Sequence, residues 1–155
     1  MNIQTGALLM YRIKNGEPQV LLVHPGGPYW QSKDEGVWSI PKGTAESHET
    51  DMLKVAQREF EEETAIKPVG TFVPLGTVER PGKTVHVYAF LGDCDPSKIQ
   101  SNTTMIEWPP KSGKRIVIPE VDRAAFCTLE EARVKLNGYQ VPAINRLEKL
   151  IGGGD

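Results

Sequence analysis

Two short apolar runs open the chain, at residues 7–11 and 20–23, and three turn-forming residues separate them: Asn15, Gly16 and Pro18. Short apolar runs bounded by turn residues are typical of strands buried in a core. The beginning of the chain therefore predicts a hairpin or two neighbouring strands whose apolar side chains lie in the core.

The hydrophobic period becomes helical over residues 50–64. Three apolar side chains there fall within one narrow arc at about 100° per residue: Leu53, Ala56 and Phe60. Thr50 or Asp51 can accept hydrogen bonds from the first turn, so we expect one of them to cap the helix. The segment therefore predicts an amphipathic helix that buries one face.

The rest of the chain predicts further strands and then two helices. We expect strands at 72–79 and 84–91, joined as a hairpin, and at 105–108, 116–118 and 123–127, followed by helices at 129–136 and 140–151. This order favours a mixed sheet packed by helices. No long linker interrupts it, so we expect one domain over residues 1–151 and a flexible tail over residues 152–155.

Charge and composition argue against several classes of function. The formal net charge of −2 provides no global positive field for nucleic acid or an anionic membrane. The apolar runs are far shorter than the roughly 20 residues that span a bilayer, and the N-terminus shows no secretory pattern. Two cysteines, Cys94 and Cys127, cannot build a disulfide framework or a tetrahedral zinc site. We therefore expect a cytoplasmic protein that does not bind nucleic acid stably.

Acidic residues on the predicted helix indicate a metal site. Glu59, Glu62 and Glu63 lie at i, i+3 and i+4, so their carboxylates share one face. Like charges at this spacing repel, and a hard divalent cation with oxygen ligands would relieve the repulsion. A solvated acidic face is the commoner origin of such a pattern. The residues around the helix favour a metal site over a solvated acidic face.

The segment from Pro41 to Ile66 resembles the signature of the Nudix hydrolases, the MutT-like family. That signature is Gly, five residues, Glu, seven residues, and then Arg-Glu-aliphatic-X-Glu-Glu-X-Gly-aliphatic. The matching positions of this chain are Gly43, Glu49, Arg58, Glu59, Glu62, Glu63 and Ile66. So many fixed residue types in register favour membership of the family over a solvated acidic helix.

The segment departs from the signature at three points. Eight residues separate Glu49 from Arg58 where the signature has seven, which leaves the role of Glu49 open. Phe60 takes an aliphatic position, and Ala65 takes a glycine position. If position 65 needs a positive φ, alanine there costs roughly 1 kcal/mol. None of the three changes removes a carboxylate expected to bind metal.

The resemblance implies a Nudix-type α/β/α sandwich around a mixed β-sheet. It also implies metal-dependent hydrolysis of a pyrophosphate bond in a nucleoside diphosphate linked to another moiety, with Mg²⁺ as the cofactor and Mn²⁺ as an alternative. Residues 38–43 are similar to the branch of the family that hydrolyses dinucleoside polyphosphates or diphosphoinositol polyphosphates. A dinucleoside polyphosphate is the leading substrate, and nucleoside triphosphates, nucleotide sugars and diphosphoinositol polyphosphates are alternatives.

The same resemblance implies roles for individual residues. Glu59, Glu62 and Glu63 are the expected metal ligands, and Arg58 holds one of these glutamates by a charge-assisted hydrogen bond. The base that activates water differs among family members. Glu62 is one candidate, and Glu120, just before the last predicted strand, is another.

Two further acids compete with Glu120 as the base, Asp122 and Glu107, and a surface acid is an equally good interpretation of each of the three. Lys42 and Gly43 lie inside the signature, and we expect them to contact substrate phosphate. These expectations concern the acid that activates water and the residues that contact phosphate.

Residues outside the signature give weaker expectations. His24 ends a predicted strand whose end points at the substrate in relatives, so it is a further candidate contact. Three aromatic residues in loops could stack on a base or pack at the rim: Tyr29, Trp30 and Trp108. Three cations in a later loop could reach distant phosphates, although a solvated loop is commoner: Lys111, Lys114 and Arg115.

Two other functions compete with hydrolysis. A catalytically silent nucleotide sensor would keep the motif and bind without cleavage, and the extra residue before Arg58 and Ala65 are its only support. An acidic protein-interaction domain would need no metal, and Mg²⁺ would not change its thermal stability. The sequence leaves the oligomeric state open.

Overall fold

The fold has three layers, with a mixed sheet between one helix and a pair of helices, and the computed structural model describes residues 2–152. The strands are β1 (Ile3–Lys14), β2 (Glu17–Pro25), β3 (Lys42–Thr44), β4 (Val73–Arg80), β5 (Lys83–Leu91), β6 (Thr103–Glu107), β7 (Arg115–Pro119) and β8 (Val121–Thr128). The helices are α1 (Met52–Thr64), α2 (Leu129–Lys135) and α3 (Val141–Ile151), with short 3-10 turns at Pro96–Lys98 and Gly138–Gln140. Most of the expected tail, residues 153–155, lies outside the described residues.

Alternation along β1 builds two cores, one on each face of the sheet. Leu8 and Met10 pack with Phe60 of α1 on one face. Ala7 and Leu9 face the opposite core, which α2 and α3 cover. Side chains of successive strand residues point to opposite faces, so an apolar run of this length is buried on both sides. The expected α/β/α sandwich is confirmed.

The main sheet has the strand order β4-β5-β1-β2-β8, and β3 pairs with β1 beside β2. β1 runs parallel to β5, and the other pairs are antiparallel. Gly43 of β3 lies opposite Gly6 of β1. This pairing fixes the start of the Nudix-like signature to the centre of the sheet.

Three strands differ from the sequence prediction. The short strand β3 was not predicted, because three residues carry no period of their own and the pairing with β1 creates the strand. The segments predicted at 105–108 and 116–118 do form strands, but β6 and β7 pair only with each other, as a hairpin outside the main sheet. Among the described residues, every helix is too short or too polar to cross a membrane.

Close packing of α1 on the sheet aims its polar face outward. A Cβ at Gly6 would lie 2.6 Å from the backbone nitrogen of Ala56, so only glycine allows the helix to approach β1 this closely. Asp51 caps the helix by accepting from the backbone N–H of Leu53 at 3.1 Å and from that of Lys54. The expected cap at this end is therefore Asp51.

Candidate active site

Arg58 joins three glutamates on and before α1. Its Nε and Nη2 bind the two carboxylate oxygens of Glu49 at 2.9 and 2.6 Å, and its Nη1 binds Glu59 at 2.7 Å and also Glu62. The sequence predicted one glutamate partner for Arg58, and the structure gives it three. The guanidinium lowers the pKa of the Glu49 carboxyl to about 2. Glu49 is thus a partner of Arg58 despite the extra residue between them.

Glu59 lies flat against the backbone of β3. A Cβ at Gly43 would come within 1.9 Å of the carboxyl carbon of Glu59, so any larger residue at position 43 would displace this carboxylate. Burial raises the pKa of the Glu59 carboxyl despite the nearby Arg58. The missing side chain of Gly43 in the signature therefore makes room for the carboxylate of Glu59, one of the expected metal ligands.

Glu63 is the most deeply buried acid of the helix face. Its Oε1 accepts from the backbone N–H of Lys42 at 3.2 Å. Burial raises the pKa of the Glu63 carboxyl to about 7, and the charges of Glu59 and Glu120 push it in the same direction. The helix face thus holds more negative charge than Arg58 and the Lys42 side chain neutralise.

The donor set of α1 fits a hard divalent cation. Within residues 2–152, no three His, Cys, Asp or Glu side chains surround a common point that could hold a metal ion. Even so, the available donors are carboxylate oxygens, which Mg²⁺ and Mn²⁺ prefer. Two of them, on Glu59 and Glu63, have raised pKa values that a bound cation would lower again. Glu59, Glu62 and Glu63 are the side chains that would hold it.

A cavity of about 340 Å³ opens beside this acidic face. Its lining includes Glu63 and Glu120, and it includes three cations that we call the cation cluster: Lys42, Arg80 and Lys83. Lys42 comes from β3, whereas Arg80 and Lys83 flank the turn of the β4–β5 hairpin. The cavity therefore brings two acidic and three basic side chains to the lining of one space.

The cation cluster lacks close carboxylate partners. Among the described residues, no carboxylate oxygen lies within 4.0 Å of the charged nitrogens of the three side chains. Burial, together with the neighbouring charges of Lys42 and Arg80, lowers the pKa of Lys83 to about 8. The Arg80 guanidinium lies 5.3 Å from the centre of the Tyr139 ring. Such a cluster is suited to an anion with more than one charge.

Glu120 is the one of the three competing acids that lines the cavity. Glu107 accepts from the backbone N–H groups of Lys111 and Gly113 at 3.0 and 2.9 Å, so it caps the loop of the β6–β7 hairpin. Asp122 binds Nδ1 of His24 at 2.8 Å. Structural partners thus hold both rivals, and Glu120 alone faces the cavity with Glu63.

His24 does not line the cavity, contrary to its expected role as a substrate contact. Its side chain is fully buried, with Nδ1 bonded to Asp122 and Nε2 bonded to the backbone oxygen of Lys33 at 2.6 Å. Its register could have indicated this, because it lies on the same face of β2 as Val20 and Leu22, which belong to the core. His24 ties the loop after β2 to the start of β8.

The loop aromatics separate into two groups. Trp30 lines the cavity. Tyr29 packs edge-on against the Trp30 ring and remains mostly exposed. Trp108 begins the connection between β6 and β7 and is absent from the cavity lining. Lys111 and Lys114 of that connection and Arg115 at the start of β7 are absent from it as well. Of the three loop aromatics, Trp30 is therefore the one that lines the cavity.

Sequence reasoning missed several residues that line the cavity. Arg80 and Lys83 flank Pro81 and Gly82, a pattern that indicates only an exposed hairpin turn. Tyr139 lies in a 3-10 turn before α3, far from the signature. No local signal identifies these residues, because packing of the hairpin and the C-terminal turn beside β3 brings them together.

Comparison with known proteins decides the family. The sequence model of the NUDIX domain matches residues 4–147. The chain belongs to the Nudix family. No curated protein gives a significant match to the chain.

Solved Nudix structures share the fold at low sequence identity. The Nudix domain of Shewanella oneidensis NrtR, complexed with ADP-ribose, is 16% identical with a TM-score of 0.67, and the match covers 97% of this chain and 89% of that one. A binary complex of the Caenorhabditis elegans Ap4A hydrolase is 20% identical with a TM-score of 0.64, over 97% and 98% of the two chains. The MutT protein of Methanosarcina mazei is 20% identical with a TM-score of 0.62, over 97% and 95%.

Family membership determines the class of reaction. The protein is a Nudix pyrophosphohydrolase by family, a class whose reaction is the hydrolysis of a pyrophosphate bond. The acidic face of α1 carries the glutamates of the family signature, and the cavity beside it has room for a substrate.

Proposed function

We propose that this Nudix protein hydrolyses dinucleoside polyphosphates with the help of Mg²⁺, or alternatively Mn²⁺. The observation that supports this proposal is the cation cluster of Lys42, Arg80 and Lys83, which lines the same cavity as Glu63 and Glu120. A polyphosphate chain has enough charge to meet a cation between the glutamates at one point and three basic side chains at another. A substrate with a single phosphate would leave part of this cluster unused.

The glutamates of α1 and the cation cluster would have different roles in the reaction. Glu59, Glu62 and Glu63 would hold the divalent cation, which would supply screening of the phosphate charge and activation of water when bound. Arg58 orients Glu59 and Glu62 through its two short contacts. Glu62 or Glu120 accepts the proton of the water.

The rest of the substrate would lie along the cavity. Lys42, with its neighbour Gly43, and the two hairpin cations bind the phosphates that do not react. Trp30 covers a nucleobase, an interaction worth about 1–3 kcal/mol when a base stacks on an aromatic ring. The shared fold of the Caenorhabditis elegans Ap4A hydrolase, over nearly the full length of both chains, agrees with this choice of substrate.

The test is a panel of substrates incubated with the protein and Mg²⁺, with the products separated by chromatography. The panel contains dinucleoside polyphosphates, nucleoside triphosphates, nucleotide sugars, ADP-ribose and diphosphoinositol polyphosphates. We expect the fastest cleavage for a dinucleoside polyphosphate. Faster cleavage of another member would replace this substrate assignment, and tight binding without cleavage of any member would favour a nucleotide sensor.

A further inference from the structure

A strap formed by residues 100–102 connects the end of α1 to the beginning of β8. Gln100 donates its backbone N–H to the carbonyl of Thr64 at 3.4 Å, and Asn102 donates its backbone N–H to the carbonyl of Glu62 at 3.0 Å. The last carbonyls of a helix have no partner within it, so the strap satisfies two of them. One end of the strap is thereby fixed to the helix that carries the signature glutamates.

The other side of the strap holds the backbone around Glu120. The carbonyl of Asn102 accepts from the backbone N–H of Glu120 at 2.9 Å. Ser101 Oγ accepts from the backbone N–H of Val121 at 2.9 Å and donates to its carbonyl at 3.1 Å. Gly26 donates to the carbonyl of Glu120 at 3.0 Å. The backbone that carries Glu120 is therefore held on both sides.

The side chain of Asn102 also reaches the glutamate face. Its Nδ2 donates to Oε1 of Glu62 at 3.3 Å, whereas Arg58 binds Oε2 of the same carboxylate. Glu62 is thus held from two directions. A half-exposed glutamate held only by Arg58 would keep much of its rotamer freedom, and ordering it for reaction would cost free energy.

We propose that Asn102 is a positioning residue that holds the Glu62 carboxylate in a fixed relation to Glu120. This inference rests on the proposed function, because it assigns a reactive role to both glutamates. Asn102 touches each of them, Glu62 through its side chain and Glu120 through its backbone. Hydrogen bonds to metal-binding carboxylates orient the ligand and support metal affinity.

The experiment compares Asn102→Ala with Asn102→Leu, which keeps approximately the size of the side chain but cannot donate. Asn145→Ala is the matched control, since the side chain of Asn145 on α3 accepts one hydrogen bond, from Nε of Arg133 on α2 at 2.9 Å. Affinity for Mn²⁺ alone is measured by electron paramagnetic resonance, and kcat and KM are measured on the best substrate of the panel. Thermal unfolding shows whether each variant is folded.

We expect both Asn102 variants to bind Mn²⁺ roughly tenfold more weakly and to lose roughly tenfold in kcat, with KM unchanged. The control should match the wild type in every measurement. A folded Asn102 variant whose Mn²⁺ affinity and kcat stay within about twofold of the wild type would overturn the inference. So would a rise in KM with kcat unchanged, because that would place Asn102 among the substrate contacts.

The two readouts separate this inference from the proposed function. If the wild type binds Mn²⁺, the variants bind it more weakly and no nucleotide is cleaved, the proposed function fails while the positioning of Glu62 stands. If the wild type cleaves its substrate and the variants behave like the wild type, the positioning role fails alone. A wild type that does not bind Mn²⁺ overturns the inference and the metal dependence together.

Discussion

The acidic face of α1, through Glu63, and the cation cluster meet at one cavity, but the charges of the two regions are balanced differently. Arg58 binds Glu49, Glu59 and Glu62, so the protein itself supplies the partner of most acidic groups. The cation cluster has no carboxylate within 4.0 Å among the described residues. Internal contacts preorganise the first region, whereas the second makes no close contact with a carboxylate and keeps charge available for an anionic ligand.

This difference indicates that the acidic face serves catalysis and that the cation cluster serves substrate recognition. Internal hydrogen bonds hold the carboxylates where a cation and a water molecule must be placed accurately, because catalysis depends on fixed geometry. Phosphate recognition tolerates flexible side chains, since a lysine ammonium acts as a point charge. Changes in the acidic face should therefore affect kcat, and changes in the cation cluster should affect KM.

The largest effect is expected from Glu62→Gln. The substitution removes a proposed metal ligand and candidate base while leaving the apolar face of α1 intact, so kcat should fall by roughly 100-fold or more. Thermal unfolding should change little, because the Glu62 side chain is 38% exposed. Turnover of the best substrate and the unfolding temperature are the measurements.

Glu61→Gln is the matched control for Glu62→Gln. Glu61 lies on the same helix but on its exposed side, and the substitution removes the same charge. It should leave kcat unchanged. Equal losses in the two variants would mean that the overall charge of α1 matters rather than the position of Glu62.

A smaller effect is expected from Lys83→Gln in the cation cluster. Loss of one charge-assisted contact to phosphate should raise KM roughly tenfold with kcat nearly unchanged. Because the pKa of Lys83 is lowered to about 8, the wild-type KM should also rise as the pH increases above that value, and the variant should not show this rise. Steady-state kinetics at several pH values measure both effects.

The control for the cation cluster is Lys149→Gln, which removes an exposed lysine of α3 outside the cavity. Its KM should equal that of the wild type. A fall in kcat without a change in KM for Lys83→Gln would contradict the division between the two regions.

The pH dependence of stability tests the buried acid of α1. The pKa of Glu63 is raised from 4.5 to about 7, so the folded protein binds this proton more tightly than the unfolded chain. The resulting stability is fully present below about pH 4.5 and is lost as the pH rises through about 7. The Tm of the metal-free protein should therefore fall by roughly 5 °C over this range.

Glu63→Gln and added Mg²⁺ distinguish the causes of this fall. The variant has no proton to lose, so its Tm should decline less over the same pH range. Mg²⁺ should raise the Tm of the wild type most above about pH 7, where Glu63 is ionised. If Mg²⁺ leaves the wild-type Tm unchanged at every pH, α1 does not bind the metal, and the acidic face is a structural feature.

The elements with long hydrophobic patterns were predictable from the sequence, and elements created by tertiary contacts were not. The apolar runs at 7–11 and 20–23 lie within β1 and β2, and the predicted helix at 50–64 contains α1. β3 escaped prediction because its three residues become a strand only through pairing with β1. The same limit applies to the separate β6–β7 hairpin, whose predicted strands gave no sign of which partner they would take.

The candidate site divides in the same way. Glu59, Glu62 and Glu63 were found because a helix fixes their spacing and the signature fixes their types. Arg80 and Lys83 were missed because they flank an ordinary turn, and only the place of that turn beside β3 brings them to the cavity. Sequence spacing thus identified the groups of one helix, and it could not assemble groups from separate elements.

The smallest predicted effect concerns the residue that ends α1. Ala65 has φ 64°, the left-handed conformation that favours glycine, and its N–H donates to the carbonyl of Glu61 at 2.8 Å. Ala65→Gly should therefore stabilise the protein by about 1 kcal/mol, or roughly 2–4 °C in Tm. Ala45→Gly, at a position without positive φ, should instead lower the Tm. Since Ala65 does not line the cavity, kcat should stay unchanged in Ala65→Gly. A change in kcat would show that the end of α1 helps to place the glutamates.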